Sequence, residues 1–169
     1  VPLILAADRS KLSGRHGAVS VREFREKGYL PQALVNYLAL LGWGAEGNRE
    51  IFRLPELVEK FSLKRLIHSG ARFDLEKLLW VNGQHLRALS EEEYWVRIRN
   101  YGTPPLPPGF PEDRFHRVAL LFKSRIRTFK ELAEEASYCF HEVETYDLET
   151  MGRSLATPGL REKLQDLKK

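Results

Sequence analysis

The chain has 169 residues, of which 43% are hydrophobic and 30% charged, a balance typical of a folded soluble protein rather than a disordered one. This length is enough for one large domain or two small ones. The net charge of +4 is compatible with an anionic partner but is too small to require one.

The first residues are predicted to form a short strand followed by a polar loop. Residues 3–6 are an apolar run, and residues 8–17 are polar and contain glycine. A strand that stands alone at a terminus has no neighbour to pair with. Because the chain also lacks an initiator methionine, we expect it to have been cut out of a longer one.

Helical signals begin at Ser20. Ser20 and Glu23 form a capping box, in which a hydroxyl and a carboxylate satisfy free amides at the start of a helix. This helix is predicted to run to about Lys27, because Gly28 favours its end.

Proline positions and apolar spacing predict two more helices. The second helix should begin at Pro31, where a first helical turn tolerates proline, and end at Gly42. Its apolar stripe consists of Leu34, Tyr37, Leu38 and Leu41. A third, short helix should open at Leu54. Its inward face is expected to consist of Leu57, Val58 and Phe61.

A fourth helix is predicted in the middle of the chain. Asp74 can cap it, and Asn82-Gly83 is expected to interrupt it before a further short turn at residues 85–89. Its apolar residues are Leu75, Leu78 and Leu79. Ser90 and Glu93 form a second capping box. The helix that follows carries Tyr94, Val96 and Ile98.

Residues 103–111 contain five prolines and are predicted to form a linker or long loop. The next helix is marked by Phe115, Val118, Ala119 and Phe122. Thr128 and Glu131 form a third capping box. The helix after it carries Leu132, Ala133, Ala136 and Phe140. Two last helices are expected over residues 148–155 and from Pro158, capped by Thr157, to the end, so the predicted fold class is mainly α.

The sequence Lys11-Leu12-Ser13-Gly14-Arg15, which follows the predicted strand, is the most informative stretch. It resembles the mobile nucleotide loop of class I aminoacyl-tRNA synthetases, a Lys-Met/Leu-Ser-Lys-Ser/Arg pattern. Negative charge develops on a triphosphate during adenylate formation, and a flexible loop can bring an ammonium group to it. Ser13 and loop amides can add donors. The resemblance implies that these five residues form an ATP loop.

Two further blocks are similar to those of bacterial glutamyl-tRNA synthetases. They are residues 19–43 and the block from Phe73-Asp74-Leu75 to Asn82-Gly83-Gln84-His85. The resemblance implies three parts: the end of a catalytic domain with the nucleotide loop (1–18), a helical stem-contact region (19–89) and an incomplete, all-helical anticodon-binding domain (90–169). It also implies a ligase that uses ATP and Mg²⁺ to attach glutamate to tRNA.

One position departs from the family pattern. The family usually has a second lysine where this chain has Gly14. Either Lys11 and Arg15 suffice in a natural variant, or the loop is weakened or engineered. The sequence also contains no His-x-Gly-His element, which binds ATP in this family. The chain alone is therefore expected to have no aminoacylation activity.

Residues 123–129 bring basic and aromatic residues together at a predicted helix end and turn. The bases of a single-stranded anticodon can be read by stacking and by edge hydrogen bonds. The resemblance implies that Arg125 reads the last anticodon base and separates glutamate tRNA from glutamine tRNA. The competing interpretation is an arginine that solvates a helix end. Further candidate RNA contacts are Lys123, Arg127, Arg117, Arg114, Arg97, Arg99 and Lys130.

The aromatic residues are expected to belong mostly to the core. Trp43 and Trp80 are interpreted as core residues rather than stacking platforms. Tyr94 and Trp95 are adjacent, so one of them must leave the inward face of its helix.

Thiols, histidines and hydropathy restrict the remaining possibilities. Cys139 is the only cysteine, which excludes an internal disulfide and favours a reducing, cytoplasmic location. The histidines are scattered singly, so no metal site is expected. No apolar run approaches the roughly 20 residues of a membrane span.

A monomer is expected, and two alternatives stay open: a non-catalytic RNA-binding protein derived from the same family, and a helical module that binds protein.

Overall fold

A computed structural model describes residues 4–6, 10–11, 20–45, 47, 49–67, 69–102, 106–141, 148–156 and 159–160. Within these residues the fold is mainly helical, with nine α-helices and a two-stranded parallel sheet, which confirms the predicted class. No helix in this part of the chain is long and apolar enough to cross a membrane.

The secondary structure follows the chain in this order. The strands are β1 (Ile4–Leu5) and β2 (Ala71–Arg72), and Leu63–Arg65 forms a 3-10 turn. The helices are α1 (Val21–Glu26), α2 (Pro31–Gly42), α3 (Leu54–Lys60), α4 (Leu75–Ala88), α5 (Glu91–Tyr101), α6 (Glu112–Phe122), α7 (Phe129–Glu135), α8 (Ser137–Phe140) and α9 (Leu148–Leu155). The predicted helix after Pro158 lies almost entirely outside the described residues.

The N-terminal strand has a partner, so the prediction of a strand without a neighbour was wrong. Strand β1 pairs in parallel with β2, with Ile4 opposite Ala71 and Leu5 opposite Arg72. The Phe73 amide extends the pairing by donating to the Leu5 carbonyl at 2.8 Å. Strand β2 has only two residues, which is too short for the alternating pattern by which a strand is identified in a sequence.

Side-chain caps start four of the helices as predicted. The Ser20, Asp74, Ser90 and Thr128 side chains each accept a hydrogen bond from the backbone amide three residues later. The reciprocal bond of a capping box is present at Ser90, whose amide donates to the Glu93 carboxylate at 3.1 Å. At the third predicted box, the Glu131 carboxylate instead accepts from the Arg127 amide at 2.6 Å.

One hydrophobic core runs from α1 to α8. Among its largest fully buried side chains are Tyr37, Leu78, Tyr94 and Phe115, which come from α2, α4, α5 and α6. This core crosses the predicted boundary between residues 89 and 90, and that boundary stays a prediction. A second, smaller cluster consists of Trp43, Phe52 and Leu57.

Helix α4 continues without a break through Asn82 and Gly83, so the predicted interruption was wrong. Both residues are buried inside the helix. The Asn82 amide bonds two other chain segments, since its Oδ1 accepts from the Leu30 amide at 2.8 Å and its Nδ2 donates to the Arg127 carbonyl. Asn82 and Gly83 therefore serve packing between segments, although their residue types are typical of turns.

Several side chains predicted to face the core are exposed instead. In α3 only Leu57 is buried, while Val58 is 73% exposed and Phe61, just after the helix, is 41% exposed. The reason is that this helix has seven residues and covers only the small cluster around Trp43. Leu38 and Leu75 are likewise more than 40% exposed.

Candidate RNA-binding surface

The turn between α6 and α7 carries the predicted base-reading residues. Phe122 and Ile126 are buried, and the Arg125 and Ile126 amides both donate to the Phe122 carbonyl, at 2.9 and 3.0 Å. Thr128 is also buried and caps α7. These anchors fix the turn, and Arg125 and Arg127 between them are exposed.

Arg125 is exposed at the end of α6. Its guanidinium carbon lies 5.5 Å from the centroid of the Phe122 ring, at the distance of a cation–π contact. Within the described part of the chain, no carboxylate pairs with Arg125. Its five donors are therefore available to an acceptor in solution.

Lys123 is half-buried and is used inside the fold. Its ammonium donates to the Leu89 carbonyl, which caps the end of α4, and lies 5.9 Å from the Tyr94 ring. Burial raises the pKa of Tyr94, so this phenol is neutral, and its hydroxyl donates to the Ala119 carbonyl at 3.1 Å. The structure places Lys123 where it holds α4, α5 and α6 together.

Arg127 is surrounded by carboxylates. Its Nη1 lies 3.2 Å from Glu76 Oε2, and its Nε lies 3.6 Å from Glu131 Oε1. Its own backbone carbonyl accepts from Asn82. The charge of Arg127 is thus offset by two acidic residues of α4 and α7.

The other candidate cations lie on α5, α6 and α7. Arg117 forms an exposed pair with Asp113 at 3.1 Å, whereas the Arg114 guanidinium lies 5.3 Å from the Phe110 ring. Arg99 contacts both Glu112, at 3.4 Å, and the Trp95 ring, at 5.7 Å. Arg97 donates to Gln32, and Lys130 is exposed. Among the described cations of this surface that are exposed, Arg114 and Arg125 combine an aromatic contact with no ion pair.

The tryptophans divide between core and surface. Trp43 is 2% exposed, which confirms the prediction, but Trp80 is 41% exposed, so its assignment to the core was wrong. Tyr94 is fully buried, and the half-buried Trp95 packs beside Phe115 and His116, with ring centroids 5.4 and 4.5 Å away. This confirms that one member of the adjacent pair leaves the inward face.

The predicted ATP loop lies mostly outside the described residues, which include Lys11 but not Leu12, Ser13, Gly14 or Arg15. Lys11 is exposed and forms an antiparallel bridge with Leu5, while the Ala6 amide donates to the Ser10 carbonyl at 2.8 Å. The loop therefore begins directly beside β1. Among the described residues, no group of three or more histidine, cysteine or acidic side chains could hold a metal ion.

The structure also shows a cluster of cations around Trp43 that the sequence analysis did not identify. It comprises Arg49, Lys60, Lys64 and Arg65, which line one cavity together with Trp43. These residues are spread along the chain without a motif, so the only signal in the sequence is an excess of basic residues between positions 49 and 65.

Comparison with known proteins identifies relatives over nearly the whole chain. The family model for class I tRNA synthetases (E and Q), catalytic domain, matches residues 1–80. A glutamate–tRNA ligase from Moorella thermoacetica is 43% identical over 168 residues, which cover 94% of this chain and 34% of the relative. One from Nitrosospira multiformis is 45% identical over 148 residues, which cover 85% and 31%.

A solved structure has the same fold. The crystal structure of a glutamate tRNA ligase from Elizabethkingia meningosepticum, in complex with its amino acid, matches with a TM-score of 0.72 at 26% identity, covering 98% of this chain and 36% of that chain. The chain thus spans about a third of the length of the relatives that it matches. Sequence and structure agree that the chain belongs to the glutamyl-tRNA synthetase family.

Proposed function

We propose that this chain is the tRNA-binding part of an enzyme that activates glutamate with ATP and Mg²⁺ and attaches it to tRNA in the cytoplasm. Residues 1–18 would contribute the ATP loop, with Lys11, Ser13 and Arg15 as phosphate ligands. Residues 19–89 would contact the tRNA stem, and residues 90–169 would bind the anticodon. Family membership supports the reaction, and the environment of Arg125 supports the RNA-binding surface.

The single observation that carries the RNA-binding part of this proposal is the exposed guanidinium of Arg125 above a buried aromatic ring. A guanidinium held over a ring loses less side-chain freedom when it binds. Its planar donors can bond to acceptors such as O2 and N3 of a cytosine, which an unpaired base exposes on its Watson–Crick edge. Arg127 is a weaker candidate, because it would have to leave two carboxylates before it could bind RNA.

Binding of two transcripts tests the role of Arg125. We expect Arg125→Gln to reduce the discrimination between glutamate and glutamine tRNA transcripts by about 1–3 kcal/mol, as for loss of a bidentate base contact. The measurement is the dissociation constant of each transcript with wild-type and variant chains. Arg117→Gln, on the exposed Asp113 pair, is the control that removes the same charge. An equal loss of affinity for both transcripts would show that Arg125 does not read a base.

Gly14 supports a second candidate, a non-catalytic RNA-binding protein derived from the same family. Glycine in place of the second lysine removes one positive charge from the ATP loop and adds backbone freedom. Glutamate-dependent ATP–pyrophosphate exchange by the full-length gene product separates the two candidates. Exchange at the level of other ligases would exclude the second candidate. If exchange is weak and Gly14→Lys restores it, the loop is weakened but the protein is still a ligase.

A further inference from the structure

We propose that the cavity beside Trp43 binds a phosphodiester group of a base-paired tRNA stem, an inference that rests on the proposed function. The cavity has a volume of about 350 Å³. Four basic residues line it, and its lining contains no acidic residue. It lies between the end of α2 and the 3-10 turn, and none of its lining residues comes from the α6–α7 turn.

The charges at this cavity are only partly offset by the protein. Arg49 pairs with Glu56 at 2.8 Å and lies 4.8 Å from the Phe52 ring centroid. Lys60 and Lys64 are exposed, and neither pairs with a carboxylate in the part of the chain that the structure describes. Cations gathered around one concave surface produce a positive potential that attracts anions.

The backbone around the cavity is fixed by hydrogen bonds between its two sides. The Gly44 amide donates to the Arg65 carbonyl at 3.2 Å, and the Ile67 amide donates to the Gly42 carbonyl at 2.9 Å. Phe61, between Lys60 and Ser62, packs with its ring centroid 5.6 Å from that of Trp43. The basic side chains therefore extend from an ordered framework, which reduces the entropy that binding must overcome.

Burial of the rings decides between a phosphate and a base as the ligand. Trp43 and Phe52 are each only 2% exposed, so neither presents a face on which a base could stack. What the cavity offers to solvent is ammonium and guanidinium groups together with the Ser62 hydroxyl. Such groups bind phosphate oxygens without reading sequence, and double-stranded RNA is bound mainly through its backbone.

A purely structural role explains part of this cluster. Lys60 lies in the last turn of α3 and Lys64 in the 3-10 turn, where a cation interacts favourably with helix carbonyls. That role would make each lysine contribute to stability without contributing to binding. Thermal unfolding and RNA binding of the same variant therefore distinguish the two roles.

The test compares two variants that lose the same charge. Lys60→Gln/Lys64→Gln changes the cavity, and Arg22→Gln/Lys27→Gln changes exposed residues at α1. Binding of glutamate and glutamine tRNA transcripts to the 169-residue chain is measured across a salt series. We expect the cavity variant to make the negative slope of log K against log salt shallower by about 1.4–1.8, equally for both transcripts, since each lost phosphate contact removes roughly 0.7–0.9 from its magnitude. The α1 variant should reduce the slope by much less than the cavity variant, because Arg22 is already paired with Glu26.

Each outcome bears on one proposal. If the wild-type chain binds neither transcript, the proposed function fails. If it binds both and the cavity variant keeps the wild-type slope, only the cavity inference fails. A lowered melting temperature with an unchanged slope assigns the lysines to helix stability and overturns the inference. Titration with pyrophosphate tests whether the ligand is instead a free anion. Loss of pyrophosphate binding in the cavity variant, with tRNA binding unchanged, would also overturn the cavity inference.

Discussion

Gly28 joins two segments that are far apart in the chain. It has a φ of +80°, and its carbonyl accepts from the Phe129 amide at 3.1 Å, where α7 begins. A Cβ atom at this position would lie 2.8 Å from the backbone nitrogens of both Phe129 and Lys130. Glycine is needed here for its backbone conformation and also for the space that a side chain would fill.

We expect Gly28→Ala to lower the free energy of unfolding by about 1–3 kcal/mol, because it combines a strained φ with a backbone contact. The midpoint of urea unfolding measures this. Gly47 is the matched control, since its φ is +68° and a Cβ there would meet nothing within 4 Å. If both substitutions cost the same, the contact with α7 contributes nothing and only the φ matters.

His85 lies in a buried polar network at the contact of α2 and α4. Its Nε2 lies 2.9 Å from Asn36 Oδ1, which also accepts from the Phe52 amide at 2.9 Å. The Asn36 Nδ2 donates to the Glu50 carbonyl, so Oδ1 is the acceptor and the His85 Nε2 carries the proton. Burial lowers the pKa of His85 below its ordinary value of 6.5.

A lowered pKa makes stability depend on pH with a definite sign. Below pH 6.5 the unfolded chain takes up a proton that the folded chain does not, so the free energy of unfolding falls as the pH falls toward the folded-state pKa. We expect the urea midpoint to decrease between about pH 7.5 and 5.5, and to decrease less in His85→Gln. Equal dependence in the wild-type chain and in His85→Gln would contradict the assignment to His85.

At the scale of elements, the side-chain amide of Asn82 connects α4 to the start of α2 and to the turn before α7. Helix α2 begins at Pro31 without a side-chain cap of its own, and Asn82 accepts the Leu30 amide at its N-cap. The same side chain donates to the Arg127 carbonyl just before α7. Helix α4 therefore orients both the start of α2 and the turn that carries Arg125.

We expect Asn82→Ala to lower the free energy of unfolding by about 1–3 kcal/mol, because it leaves the buried Leu30 amide and the partly buried Arg127 carbonyl without their Asn82 partner. Chemical denaturation measures the loss. Asn100→Ala, at an exposed position of α5, is the control and should change stability by less than about 0.5 kcal/mol. Equal stabilities of the two variants would show that water replaces the Asn82 contacts.

Local sequence rules located most helices and failed where packing outweighed them. Capping side chains and proline positions act within one turn, so Ser20, Pro31, Asp74 and Ser90 could be recognised as helix starts. Asn82-Gly83 was misread as an interruption, because the partners that make a buried asparagine favourable are 52 and 45 residues away in the chain.

At the scale of the whole molecule, the chain holds a predicted RNA-binding surface without an ATP-binding His-x-Gly-His element. We therefore expect the pure 169-residue chain to show no glutamate-dependent ATP–pyrophosphate exchange, while it binds tRNA with an affinity that falls steeply with salt. Measurable exchange would contradict the first expectation. Binding that does not depend on salt would favour the helical module that binds protein.

The sequence by itself determined the family, the mainly α class and the stretch of basic residues at the end of α6, because motifs, helix caps and apolar spacing are local patterns. Only the tertiary structure decided which of those cations are offset by carboxylates, as Arg127 is, and which lie free above a ring, as Arg125 does. It also decided that Trp80 is exposed and that four scattered cations line one cavity. These properties depend on contacts between residues distant in the chain, and such contacts leave no local pattern to read.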